Sequence, residues 1–204
     1  MNVAIIDYGM SNLGSARRAF QECGGNVTVI QDPADLRGAD RIVLPGVGAF
    51  PDGMKNLADG GWIPAINEAL DNPGVALLGI CLGMQLLASK GFEEGETQGL
   101  GLIPGEVRRL EPIPARTRIP HVGWNEVRQV GESPLFATVA DRTDFYFVHS
   151  YHFAPTLPEH IIATTDYCGG FVSAVQVGRT FGVQFHPEKS SRAGFQVLQN
   201  FLRL

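Results

Sequence analysis

Cys81 is the residue best placed to act as a nucleophile, because of what flanks it. It lies in Gly79-Ile80-Cys81-Leu82-Gly83, after the apolar run Val75-Ala76-Leu77-Leu78 and before Leu82, Gln85, Leu86 and Ser89 at helical spacing. Gly-x-Cys-x-Gly joining a strand to a helix is the thiol form of a nucleophile elbow. Such a turn strains the backbone of its central residue, and neighbours without Cβ let strand and helix pack close around it. The helix N-terminus that follows favours the thiolate, the form that attacks. A buried cysteine serving as a small hydrophobe is the plainer account of a lone thiol; two glycines at this spacing weigh against it.

A thiolate attacking a carbonyl needs a proton carrier, and the histidines are His121, His149, His152, His160 and His186. His186 stands out because it follows the apolar strand ending at Phe185 and precedes Pro187-Glu188. Pro187 holds His186 extended, and residues two apart in an extended segment project to one side. Glu188 is therefore predicted to meet the imidazole, fix its tautomer and stabilise the imidazolium. Alone, His-Pro-Glu also fits a surface turn with an incidental acid; paired with the elbow it reads as a Cys-His-Glu triad. The oxyanion formed on attack needs donors. Leu82 N–H is one, and Pro45-Gly46-Val47-Gly48 can supply an amide of Val47 or Gly48 as the other. Gln85, four residues after Cys81, falls on the same helical face; a solvent-facing Gln fits that spacing equally.

The elements that must position these groups follow from periodicity. Val3–Ile6, Val27–Ile30, Arg41–Leu44 and Val75–Leu78 read as short buried strands, with helices expected from Leu13 to Cys23, from Pro64 to Leu70 and after Cys81. Ser11 or Asn12 is a candidate cap for the first of these. Gly91 to Gly105 reads as a loop, and short strands then dominate: 107–110, 124–127, 145–148, 161–164, 173–177 and 180–185, the last two joined by Gly178-Arg179 as a hairpin turn. A helix from about Ser191 to Leu202 closes the chain. The predicted class is α/β: an open, mostly parallel sheet flanked by helices, with antiparallel strands in the C-terminal half.

With 204 residues, one domain over residues 1–204 is expected. A net charge of −5 argues against nucleic acid as a partner. No apolar run is long enough to cross a bilayer, and Met1-Asn2-Val3 opens into a strand rather than a signal peptide. The cysteines Cys23, Cys81 and Cys168 are odd in number and lack metal-ligand spacing, so no metal, no cofactor and a cytoplasmic setting are expected.

Leu44-Pro45-Gly46-Val47-Gly48, Gly79-Ile80-Cys81-Leu82-Gly83-Met84-Gln85 and Phe185-His186-Pro187-Glu188 together resemble the three motifs of the triad-type glutamine amidotransferases. Pro120-His121-Val122-Gly123-Trp124-Asn125, Phe147-Val148-His149-Ser150-Tyr151 and the stretch from Gly182 to Ser191 are similar to one branch, the glutaminase subunits of imidazole glycerol phosphate synthases. Only Ser11, where that branch is expected to have glycine, departs locally. The resemblance implies L-glutamine as substrate, hydrolysed through a cysteinyl thioester at Cys81 with His186 and Glu188. It implies that Gln85 and Glu93 hold the ends of glutamine, with Glu94 an alternative to Glu93 by register. It implies that His149, Ser150 and Tyr151 form a strand contacting substrate; His149 and Tyr151 also fit a core. The acceptor of ammonia would be a separate (β/α)₈-barrel cyclase in histidine biosynthesis, reached by an internal tunnel. Asn12, Trp124 and Lys189 resemble positions facing it; a cap, a core Trp and a solvated Lys are the ordinary alternatives. Because hydrolysis without an acceptor wastes glutamine, rotation of one peptide in Gly46-Val47-Gly48 is the expected point of control. Other amidotransferase branches, a γ-glutamyl peptidase and a non-catalytic binding module share parts of this pattern.

Overall fold

The computed structural model describes residues 1–204. In chain order the elements are β1 (Asn2–Ile6), α1 (Leu13–Glu22), β2 (Asn26–Ile30), β3 (Arg41–Gly46), α2 (Phe50–Asp59), α3 (Trp62–Leu70), β4 (Ala76–Cys81), α4 (Leu82–Leu86), β5 (Lys90–Gly91) and β6 (Thr97–Gln98). There follow β7 (Gly105–Arg109), β8 (His121–Gln129), β9 (Thr143–His149), β10 (Tyr151–Pro155), β11 (Ile161–Thr165), β12 (Phe171–Val177), β13 (Thr180–Val183) and α5 (Ser191–Leu202).

The main sheet runs β2-β1-β3-β4-β13-β12-β11-β8-β9. From β2 to β13 neighbours are parallel; from β13 to β9 they are antiparallel. The antiparallel strands thus continue the parallel sheet rather than forming an appendage. A smaller sheet, β10-β7-β5-β6, packs beside it. Alternate residues of the central strands feed two apolar cores. Val3, Ile5, Val43 and Leu78 join Phe20 of α1 and Phe201 of α5 on one face. Ala4, Ile6, Leu44 and Leu77 join Leu57 of α2, Trp62 of α3 and Phe153 of β10 on the other. Strands apolar on both sides are what a helix-covered parallel sheet demands.

Several local expectations are corrected. α2 occupies a stretch to which the sequence reading assigns no element; Pro51 sits in its first turn, the position at which a missing N–H costs nothing. The segment after Cys81 forms only five helical residues, all buried. Residues 90–98 contribute two short strands, because β5 can pair along β7 and β6 folds back to pair with β5. Neither proposed cap closes α1: Asn12 makes no capping bond and Ser11 Oγ is buried without a partner.

The elbow glycines are set by contact. A Cβ on Gly83 would lie 1.8 Å from Leu44 O, and one on Gly79 would lie 2.6 Å from Gly83 O. Both obstacles are backbone, so neither can swing aside. Gly83→Ala is therefore expected to lower unfolding free energy by about 3 kcal/mol, the upper end for overpacking. Gly14→Ala, exposed with nothing within 4 Å of its Cβ, should stay within about 0.5 kcal/mol. Urea denaturation of the two variants checks this.

Candidate active site

Cys81 ends β4 at the carboxyl edge of the parallel strands, between Gly46 of β3 and the end of β13. Its backbone takes φ 55 and ψ −109, a left-handed conformation held by the strand behind it and the buried α4 ahead. The side chain is buried; Sγ donates to Val148 O at 3.8 Å and accepts from Gln184 Nε2 at 3.7 Å.

His186 is fixed by its own backbone. Its N–H donates to Tyr146 O at 2.9 Å, and its carbonyl accepts from Ser190 Oγ at 2.6 Å. Nδ1 lies 2.8 Å from Glu188 Oε1, with both side chains buried. The pairing arises differently from the extended alternation expected. Pro187–Lys189 is a single 3-10 turn, and it carries Glu188 back under the imidazole. His186 Nε2 makes no hydrogen bond that meets normal geometry, although Cys81 lies near enough to influence it. Burial favours the neutral ring, but the interactions with Cys81 and then Glu188 outweigh it and raise His186 to about 9. The imidazolium is thus the form that suits a neighbouring thiolate.

That shift has a sign for stability. A proton held to about pH 9 in the folded chain, against 6.5 ordinarily, adds stability that is complete below pH 6.5 and lost as pH rises through 9. Glu188→Gln removes one source of the shift. Its unfolding free energy is expected to fall less steeply than wild type between pH 6.5 and 9, as read by urea denaturation across that window.

Cys81, Leu82 and His186 open onto a cavity of about 270 Å³ that is also lined by Val47, Gly48, Gln85, Glu93, His149, Ser150 and Tyr151. Gln85 is not solvent-facing. Its Nε2 donates to Tyr151 O at 2.9 Å and to Gln184 Oε1 at 3.0 Å. Gln184, wholly buried, is a member of the site that motif spacing does not single out. Its signal in the sequence was an amide inside an apolar strand, two residues before His186. Of the two acids left open by register, Glu93 lines the cavity and Glu94 is exposed. Glu93 Oε2 accepts from Phe50 N–H at 2.8 Å. Burial raises its carboxyl; the Phe50 N–H works against this, while Glu94 and Asp52 add to it. His149 lies at the cavity wall, driven to about 3 chiefly by burial, so it is neutral.

The amides named for the oxyanion differ. Val47 N–H donates to Met10 O at 2.9 Å, whereas Gly48 N–H makes no hydrogen bond and Gly48 has φ 112. Beneath this loop lies Tyr8, just past the carboxyl end of β1. Its buried hydroxyl has no partner, and a Cβ on Gly46 would lie 2.4 Å from that oxygen. Burial and the charge of Cys81 push the phenol upward, so it stays protonated.

Asn12, Trp124 and Lys189 lie outside the cavity and are exposed. Trp124 is 52% exposed and meets the Tyr146 ring edge-on at 6.2 Å; Lys189 Nζ stands 5.9 Å over the same ring. Tyr146 in turn lies 6.4 Å from His186, ring to ring. Val122, Val148 and Val47 are also exposed nearby in the strands and loop.

A parallel sheet carrying a buried Cys at an elbow, with a carboxylate-bound His at the same cavity, is the arrangement that acyl transfer through a cysteine would need. Residues 4–204 match the family model "Glutamine amidotransferase class-I". The chain is 51% identical to imidazole glycerol phosphate synthase subunit HisH of Moorella thermoacetica, covering 98% of this chain and 93% of that one. It is 48% identical to subunit HisH of Chlorobium luteolum, covering 98% of each. Among solved structures, PurLQS from Thermotoga maritima superposes with a TM-score of 0.78 at 18% identity, covering 99% of this chain and 97% of that one. A second, titled a glutamine amidotransferase, gives 0.75 at 18%, covering 98% and 97%; at this identity both speak for the fold. The chain belongs to the class-I glutamine amidotransferases and, within them, to the HisH subunits of imidazole glycerol phosphate synthase.

Proposed function

We propose that this chain, as one domain, hydrolyses L-glutamine to glutamate and ammonia and passes the ammonia to a separate cyclase subunit in histidine biosynthesis. Cys81 gives its thiol proton to His186, and its Sγ attacks the side-chain amide carbon. Leu82 N–H and an amide of Val47 or Gly48 hold the oxyanion while the C–N bond breaks, and the His186 imidazolium protonates the departing ammonia. His186 then takes a proton from water, whose oxygen attacks the thioester; glutamate leaves and the thiol is restored. Glu188 keeps the imidazole oriented and its cation stabilised. The observation that carries this reading is the buried His186–Glu188 bond of 2.8 Å beside Cys81 at the wall of one small cavity. A volume of about 270 Å³ suits an amino acid rather than a nucleotide.

With both Nε2 hydrogens of Gln85 engaged, its carboxamide oxygen remains to accept from the α-ammonium of glutamine. The partner would be a (β/α)₈-barrel cyclase docking over Trp124, Lys189 and Asn12. The exposed Trp124–Tyr146–Lys189 group supports this, since aromatic anchors carry much of interface energy. The setting is read as cytoplasmic; no helix is long and apolar enough to cross a membrane.

The Val47 bond to Met10 O gives control a physical form. While it persists, Val47 cannot donate to the oxyanion, and losing one donor costs about 10²–10³ in kcat. Glutamine turnover should therefore rise about 10²-fold or more when the cyclase and its ribonucleotide ligand are added, and Cys81→Ala should abolish it in both states. Ammonia release by Cys81→Ala would remove the nucleophile assignment. Equal turnover by the isolated chain and the complex would remove the peptide switch.

A further inference from the structure

The glutamine-side wall of the cavity is held by a chain of hydrogen bonds that reaches away from the catalytic residues. His149 Nδ1 lies 2.7 Å from Tyr151 O, and His149 Nε2 lies 3.0 Å from His121 Nδ1. His121 Nε2 lies 3.4 Å from Asn125 Nδ2, while Asn125 Oδ1 accepts from Glu126 N–H at 2.9 Å. A carbonyl can only accept, so His149 must carry its proton on Nδ1. Its Nε2 is then an acceptor, which requires His121 to carry its proton on Nδ1 as well. His121 Nε2 is left as an acceptor for the Asn125 amide, and the Glu126 bond to Oδ1 turns that amide the right way. Every proton in the chain is assigned by its neighbours.

Packing fixes the rings as firmly as the bonds do. His121 and His149 are register partners on β8 and β9. The His121 ring is stacked between Tyr167 at 4.0 Å and Phe147 at 4.9 Å. Burial lowers His121 to about 4 and His149 to about 3, so both remain neutral at neutral pH.

Given the glutaminase reading above, we propose that His121 and Asn125 are positioning residues that set glutamine affinity, by locking His149 in the Nδ1–H tautomer and thereby orienting Tyr151 O and Gln85. The link is the Tyr151 carbonyl, which accepts from His149 Nδ1 and Gln85 Nε2 together. If His149 held its proton on Nε2 instead, its Nδ1 lone pair would face the carbonyl oxygen. The carbonyl would turn away, Gln85 would lose one of its two acceptors, and its carboxamide could rotate out of the position that receives an ammonium group. Cys81, His186 and Glu188 contact none of the relay's hydrogen bonds directly, so binding rather than chemistry should carry the effect.

The test combines nitrogen-15 NMR of the imidazoles in the folded chain at neutral pH with glutamine kinetics in the complex with its cyclase. Both His121 and His149 should show neutral Nδ1–H tautomers. His121→Phe retains the ring stacks and removes both nitrogens; it should raise KM for glutamine about tenfold, the scale of one lost hydrogen bond, with kcat within about threefold. In the same variant the His149 Nε2 signal should move from its wild-type position, because that nitrogen loses its donor. His121→Asn, whose amide can donate from near the Nδ1 position, should bring KM back to within about threefold of wild type. An Nε2–H tautomer on either histidine of the wild type would overturn the proposal, and so would an unchanged KM in His121→Phe. A wild-type complex that releases no ammonia would count against the glutaminase reading alone, and the tautomers would still decide the relay.

Discussion

The structure depends on one backbone conformation, that of Cys81 at φ 55 and ψ −109. Held alone, such a residue would relax, at a gain on the order of 1–3 kcal/mol. It is kept there because β4 is buried on both faces between β3 and β13, and because α4 is pressed against the strand ends with every residue buried. That pressure is possible only where backbone meets backbone, at Gly79, Gly83 and Leu44. The thiol is thereby presented at the edge of the sheet while its main chain is held on two sides.

Around the thiol the sheet buries an unusual amount of polarity, and pairs nearly all of it. Gln184 binds both Cys81 and Gln85, Gln85 binds Tyr151, and Tyr151 is also bound by His149. Buried polar groups that satisfy one another define a single arrangement, since any alternative leaves a donor or acceptor without a partner in low dielectric. Of the buried atoms left without partners, His186 Nε2, Glu188 Oε2 and Tyr8 Oη lie around Cys81 and the loop facing it, while Ser11, His152, His160, Thr165 and Ser173 supply the others.

Charge is arranged with the same economy. Glu188 and Cys81 favour a proton on His186, while burial denies one to His149 and His121 a few residues away in space. Two histidine environments of opposite sense thus stand in one wall: one ring suited to carry and donate a proton, the others suited to transmit a fixed hydrogen-bond direction. On the outside, Tyr146 joins the two regions, with His186 on one side and Trp124 and Lys189 on the other. A change at the surface there is one aromatic ring from His186.

Much of this was legible in the residues. The apolar strands, the elbow, His186 with Glu188, and the class of fold follow from local rules: alternation and runs of hydrophobicity, the conformational allowance of glycine, and the restriction proline places on its neighbours. Those rules act within a few residues, so a sequence displays them directly. What tertiary structure alone decided is long-range. The burial of Gln85, the separation of Glu93 from Glu94, the engagement of Val47 with Met10 and the join of the antiparallel strands to the parallel sheet all depend on segments far apart in the chain. The contacts of Tyr8, Gln184 and the His121–His149 pair are not written in the sequence for the same reason: a hydrogen bond or a missing one is a property of two surfaces in contact, and no spacing along one strand specifies which surface will arrive.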